Sequence, residues 1–308
     1  MIRQQYLLLR FVFISLFIAP LICLAQIEGI AKAPDGAPIF YRVFGSGKPL
    51  LIINGGPGMN SEGFAGLAST LSKDFKAIIY DQRGTGRSVL QKLDTSTITM
   101  QKMIEDIEAL REHLHIQTLS VLGHSFGGMV ASYYATQHPE RIDRLVLSSS
   151  GGVDLELLSY VPTAINKRLT EEERKNVSYW TNEIANGDTS YFARLKRGMN
   201  LAPAYVYDRK FVPVIAERLT QGNQTINRLI WSNLQAIHFN CAPKLKNYSK
   251  PVLIIQGKQD IVSPATAERS HKAFINSRVV YVTHSVHYGW LDNPEEYFSQ
   301  VITFLKKS

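Results

Sequence analysis

The chain has 308 residues, of which 45% are apolar and 19% charged. That profile excludes a disordered or fibrous chain and suits one large domain, or one domain with a sizeable insertion. The formal charge is +8, but the densest basic stretches, "NKRLTEEERK" and "RLKRG", are mixed with acids or short; they read as solvated helix faces and exclude nucleic acid as a partner.

Residues 1–25 read as an export signal. Arg3 and Arg10 precede the apolar run "FVFISLFIAPLIC", and Ala25 supplies the small residue for cleavage before Gln26. The alternative is an uncleaved membrane anchor, but the run from Phe11 is shorter than the roughly 20 residues that span a bilayer. Removing the segment takes away two arginines and no acid. Lys+Arg falls from 34 to 32 against 26 acids, leaving a charge of +6. Cys23 leaves with it, so Cys241 has no internal disulfide partner and is expected to be apolar filler. A bacterial periplasm is the expected compartment, with no stable membrane partner after cleavage.

From Ile39 the chain alternates strand-like and helix-like segments. "IFYRVFG" reads as a strand, "PLLIIN" as a strand buried on both faces, "SEGFAGLASTLSKDF" as a helix and "KAIIYD" as a strand. "TITMQKMIEDIEALREHLHI" places Ile98, Met103, Ile104, Ile107, Leu110 and Leu114 on one helical face. "TLSVLG", "FGGMVASYYATQH" and "RLVLSSS" continue as strand, helix and strand. Such alternation predicts a mostly parallel central sheet with helices on both faces and chemistry at the C-terminal ends of its strands. The rhythm breaks between residues 152 and 248, which carry helical pieces, many aromatics and no buried strand. That segment is expected to be a helical cap, or lid, inserted into a core of residues 26–151 and 249–308. After it, "PVLIIQG", "PATAERSHKAFI", "RVVYV" and "EEYFSQVITFLKK" resume the strand–helix alternation.

"VLGHSFGGMV" contains Gly-x-Ser-x-Gly between a strand and a helix. The sharp turn there needs small residues and lifts the Ser125 hydroxyl to the N-terminus of a helix, making Ser125 the candidate nucleophile. His124 points elsewhere at such a turn and is expected to be structural. A serine hydroxyl needs a base, and a tetrahedral intermediate needs N–H donors. "NGGPG" at residues 54–58 leaves backbone N–H groups uncovered, so Gly56 and Phe126 are the expected oxyanion hole. Asp260, in "IIQGKQDIVSP", stands at a strand end and is the expected acid. The base is His287 or His284, both in "THSVHYGWLDNP". His284 follows a strand almost at once and is expected to be held by strand geometry, whereas His287 lies further into the loop, within reach of the serine. The His-x-x-His spacing finds no third ligand nearby, so no metal is expected. In "YDQRGTGRS", Asp81 and Arg83 are expected to serve structure through a buried ion pair or backbone hydrogen bonds.

Three motifs carry a narrower likeness. "NGGPG", "YDQRGTGRS" and "GHSFGG" resemble the His-Gly-Gly-Pro-Gly, Asp-Gln-Arg-Gly-x-Gly-x-Ser and Gly-x-Ser-x-Gly-Gly motifs of the proline iminopeptidase family. The mature chain looks like an α/β-hydrolase throughout. The resemblance implies a serine hydrolase with a helical cap, no cofactor, and removal of an N-terminal proline from short peptides. In that family the catalytic histidine is followed five residues later by an acid and seven later by proline. Counting from His287 gives Asp292 and Pro294, which favours His287. Two departures stand out. Asn54 replaces the usual histidine, and the cap's Trp–Glu pair for the substrate amine has no clear counterpart. Trp180 and Glu183 in "YWTNEIANGD" are the nearest candidates, and Trp290 is a third substrate-binding candidate; Trp231 has no acid beside it. The expected substrate is thus a short peptide or other small molecule. The alternative is a carboxylesterase or other acyl hydrolase, and a lesser one is a non-catalytic binding protein on this fold.

Overall fold

The computed structural model describes residues 26–307. The expected signal segment lies outside the described residues. Among them no helix is long and apolar enough to cross a membrane.

Eight strands form one sheet: β1 (Ile27–Lys32), β2 (Pro38–Phe44), β3 (Pro49–Ile53), β4 (Lys76–Tyr80), β5 (Leu119–His124), β6 (Ile142–Ser148), β7 (Val252–Gly257) and β8 (Ser277–Val282). Their order is β1-β2-β4-β3-β5-β6-β7-β8. β2 pairs antiparallel with β1 and β4, and every pair from β4 across to β8 is parallel. The apolar runs read as doubly buried strands are just that. In β3, Leu51 and Ile53 enter one core while Leu50 and Ile52 enter the other, because successive strand side chains point to opposite faces.

Helices α1 (Ala65–Leu71), α2 (Met100–His113) and α3 (Phe126–Gln137) connect the first strands. Then come α4 (Leu157–Arg168), α5 (Glu171–Ala185), α6 (Tyr191–Leu201), α7 (Val212–Leu219), α8 (Gln224–Ala236) and the short α9 (Ala242–Leu245). Helices α10 (Pro264–Ala273), α11 (Gly289–Asp292) and α12 (Pro294–Lys306) complete the chain. One face of the sheet is covered by α2, α3 and α10, through side chains such as Met103, Ile107, Met129, Tyr134 and Ala267. The other is covered by α1 and α12, through Leu67, Leu71, Val301 and Phe304. The amphipathic face read in α2 is the buried one, and Thr99 caps that helix by accepting from the Lys102 N–H.

Two differences from the sequence reading follow from packing. β1 was not anticipated, because it is an edge strand of which only Ala31 is buried, with Ile27 and Ile30 exposed; burial gave it no alternating pattern to read. The inserted helices also differ in what they pack on: α7 joins the core of α1 and α12 through Val212, Ile215 and Ala216, and Leu157 of α4 reaches the core of α2 and α3. Ile226, Ile230 and Leu234 of α8, with Cys241 and Leu245, share the core of α2 and α3, and Asn233 accepts from the Met100 N–H at 2.9 Å. α4 and α6 join separate small clusters around Ala164, Ile261 and Val286, and around Leu169, Leu201 and Ala204. Cys241 is buried and unpaired, and burial raises its thiol pKa to about 12.

Candidate active site

β5 runs straight into α3 with one residue between them. Ser125 sits there at φ 55° and ψ −120°, a backbone region that non-glycine residues rarely hold without surrounding support. The support is visible. The Ser125 N–H donates to the Ser148 carbonyl at 3.0 Å, and the Gly128 and Gly151 N–H groups both donate to the Ser125 carbonyl at 2.9 Å. Strand and helix approach so closely that a Cβ on Gly127 would lie 2.2 Å from the Ile53 carbonyl oxygen. The motif glycine is thus required by contact with β3.

The loop after β3 lies against this turn. A Cβ on Gly55 would stand 2.6 Å from the Ser125 Cβ, so only glycine allows the approach. Gly56 has φ +71°. The loop is held by side chains from three segments. Asn54 Nδ2 donates to the Gly55 and Met59 carbonyls, Gln82 Nε2 to the Asn54 carbonyl, and Arg218 Nη2 to the Gly55 carbonyl. Asn54 is therefore a brace of the loop. Phe126 occupies the first helical position of α3, where an N–H has no intrahelical acceptor.

Asp260 follows β7, and its Oδ1 lies 2.8 Å from His287 Nδ1. The same oxygen accepts from the Val262 N–H at 3.1 Å. Both side chains are buried. The His287 N–H donates to the Tyr205 carbonyl at 3.0 Å. Asp292 shapes the loop from below, accepting from the Val286 N–H at 2.9 Å and the Tyr207 N–H at 2.8 Å. His284 is not held by strand geometry: β8 ends at Val282, and His284 is an exposed turn residue at φ +49° with its ring 5.4 Å from that of Tyr207.

Ser125, His287, Gly56 and Phe126 line one cavity of about 150 Å³. Its other walls are mainly apolar and include Met129, Val161, Trp231, Ile261 and Val262. His124 also borders this cavity but is buried, with its ring 4.7 Å from that of His287 and 4.8 Å from that of Trp290. Burial, then the nearby His287 and Arg218, hold its pKa well below the usual histidine value. His124 is thus a neutral packing residue and adds no like charge beside His287.

The three expected substrate-binding residues stand elsewhere. Trp180 packs edge-on against Tyr179 and Phe192 on the α5–α6 surface, at 5.0 and 5.6 Å. Neither it nor Glu183 lines the cavity. Both lie on α5, which places no residue on that wall. Trp290 is buried against Phe64 and His124 and fills core space. Trp231, which has no acid beside it in sequence, and Arg218, which carries no motif, come from α8 and α7 and line the cavity. Arg83 pairs with Asp106 of α2 through two bonds of 2.6 and 2.8 Å, while Asp81 accepts from Ser61 and from the Arg87 N–H. Among the described residues no cluster of His, Cys, Asp and Glu could hold a metal ion. A larger hollow of about 930 Å³ beside β1 and α2 is lined by none of Ser125, Asp260 and His287.

Residues 48–294 match the family model described as the alpha/beta hydrolase fold. The chain is an α/β-hydrolase. It is 27% identical over 296 residues to a proline iminopeptidase of Heyndrickxia coagulans, covering 90% of this chain and 98% of that protein. A proline iminopeptidase of Lactobacillus helveticus is 28% identical over 276 residues, covering 85% and 92%. Among solved structures, an esterase from Exiguobacterium antarcticum superposes with a TM-score of 0.70 at 19% identity, covering 91% of this chain and 100% of that one. A thermophilic esterase from Thermogutta terrifontis gives 0.68 at 18% identity, covering 92% and 98%. These structures share the fold with this α/β-hydrolase.

Proposed function

We propose that the chain is a serine hydrolase working through an acyl-enzyme. Ser125 Oγ attacks an acyl carbonyl. His287 takes the serine proton through Nε2, the nitrogen that its bond to Asp260 leaves free, and returns it to the leaving group. The N–H groups of Gly56 and Phe126 receive the oxyanion. Water, with His287 as base, then releases the acid and restores Ser125. The observation that carries this reading is the shared cavity of Ser125 and His287, with His287 held at 2.8 Å by buried Asp260.

For the substrate, the proline iminopeptidase relatives support a short peptide with a compact N-terminal residue, and a small apolar cavity suits a proline ring. A second reading, an acyl-ester hydrolase, is favoured by one observation. Among the described residues no Asp or Glu lines the cavity, so none of them offers a carboxylate to a free amine. Labelling of Ser125 by a fluorophosphonate and turnover of proline arylamide against short nitrophenyl esters test both. Arylamide cleavage selects the peptidase, and ester cleavage alone selects the second reading. No labelling and no turnover of either would falsify the hydrolase proposal. Export is proposed as well; protein recovered from a bacterial host should begin at Gln26.

A further inference from the structure

A second chamber, of about 820 Å³, adjoins the first. The two share Gly56, Pro57, Met59 and Tyr205, so the oxyanion loop forms a wall of both. Arg194, Arg197 and Arg228 line the second chamber, and among the described residues no Asp or Glu does. Arg194 and Arg197 are three residues apart on α6 and share a face; Arg228 comes from α8.

Among the described residues none of these arginines has a carboxylate within ion-pairing distance. Two acids beside α6 have other partners. Asp188 accepts from the Ser190 N–H at 3.0 Å, and Glu217 accepts from the Tyr191 hydroxyl. Arg194 Nε is buried without a hydrogen-bond partner. Arg197 gives its Nε to Thr181 Oγ1 at 2.9 Å, leaving its two terminal nitrogens for another acceptor. Partial burial lowers the Arg197 pKa. Arg194 and Arg197 are half-buried and Arg228 is exposed, and a guanidinium fork matches a carboxylate in shape as well as charge.

We propose that this chamber is a carboxylate subsite. The substrate places its acyl or aminoacyl group in the apolar cavity and a carboxylate, separate from the reacting carbonyl, among Arg194, Arg197 and Arg228. The inference rests on the hydrolase reading and names its substrate class: a small molecule bearing a free carboxylate, such as a dipeptide or the monoester of a dicarboxylic acid. A chamber of this charge repels an ammonium group.

Two substrate pairs test it, each differing only in a terminal carboxylate or carboxamide. They are prolyl-alanine against its amide, and mono-nitrophenyl glutarate against nitrophenyl glutaramate. In at least one pair the carboxylate should be preferred by about 10- to 100-fold in kcat/KM, mostly through KM. Arg197→Gln and the exposed Arg228→Gln should each lower that ratio severalfold. Lys196→Gln, an exposed change on the same helix, should keep it. Equal turnover of both members of both pairs, with nitrophenyl acetate still hydrolysed, overturns the subsite and spares the hydrolase. Loss of nitrophenyl acetate turnover together with loss of Ser125 labelling overturns both.

Discussion

Beneath Ser125 the site is made of backbone: a strained turn, two glycine contacts and carbonyls tied by Asn54, Gln82 and Arg218. Above it the two cavities are walled by side chains from the insertion: Trp231, Tyr205 and the three arginines of the neighbouring chamber. The lower half allows little variation, because a single added Cβ meets backbone. The upper half can change its chemistry one side chain at a time. On the proposed function, reaction type belongs to the first and substrate choice to the second.

The largest effect should come from the lower half. Ser125→Ala and His287→Ala are each expected to reduce kcat by roughly 10⁴- to 10⁶-fold, with circular dichroism unchanged. Wild-type-like turnover in either variant would break the assignment.

Next is Gly55→Ala. Its Cβ would meet the Ser125 Cβ at 2.6 Å and the His124 carbonyl at 2.9 Å, so the loop must move and displace the Gly56 N–H. A loss of about 100- to 1000-fold in kcat is expected, the size of one oxyanion donor. An ester kcat within threefold of the parent would show that the loop does not carry the oxyanion.

Acid should separate packing from catalysis. His124 has a folded pKa below its unfolded value of about 6.5. The unfolded chain therefore binds the extra proton. Stability from this group is complete above about pH 6.5 and falls as pH drops toward the depressed value, by up to about 1.4 kcal/mol per pH unit. His124→Leu should flatten the fall in Tm between pH 7 and 5. An unchanged slope would place the acid sensitivity elsewhere.

Much of the lower half was legible because its demands are local. Gly127 must be glycine, Ser125 must turn, and the apolar runs of β3 and β7 must be buried on both faces. The upper half was not legible by the same means. Trp180 and Glu183 resemble a family pair in residue type, but helix α5 places neither on the cavity wall. Trp231 and Arg218 carry no motif; only the packing of α7 and α8 brings them to the serine. The partner of Arg83 was likewise hidden, since Asp106 lies 23 residues away on α2. β1 escaped because an exposed edge strand needs no apolar alternation.

The smallest effect tests the choice between two histidines three residues apart. His287 is buried and bonded to Asp260, whereas His284 is exposed in a turn at φ +49°. His284→Ala should leave kcat/KM within about twofold. It should still lower stability slightly, because alanine holds a left-handed conformation less readily, at roughly 1 kcal/mol, or about 2–4 °C in Tm for a domain of this size class. His284→Gly should recover that loss, since glycine takes positive φ without steric penalty. A tenfold loss of activity in His284→Ala that glycine does not restore would mean that His284 touches the chemistry, and the distinction between the two histidines would fail.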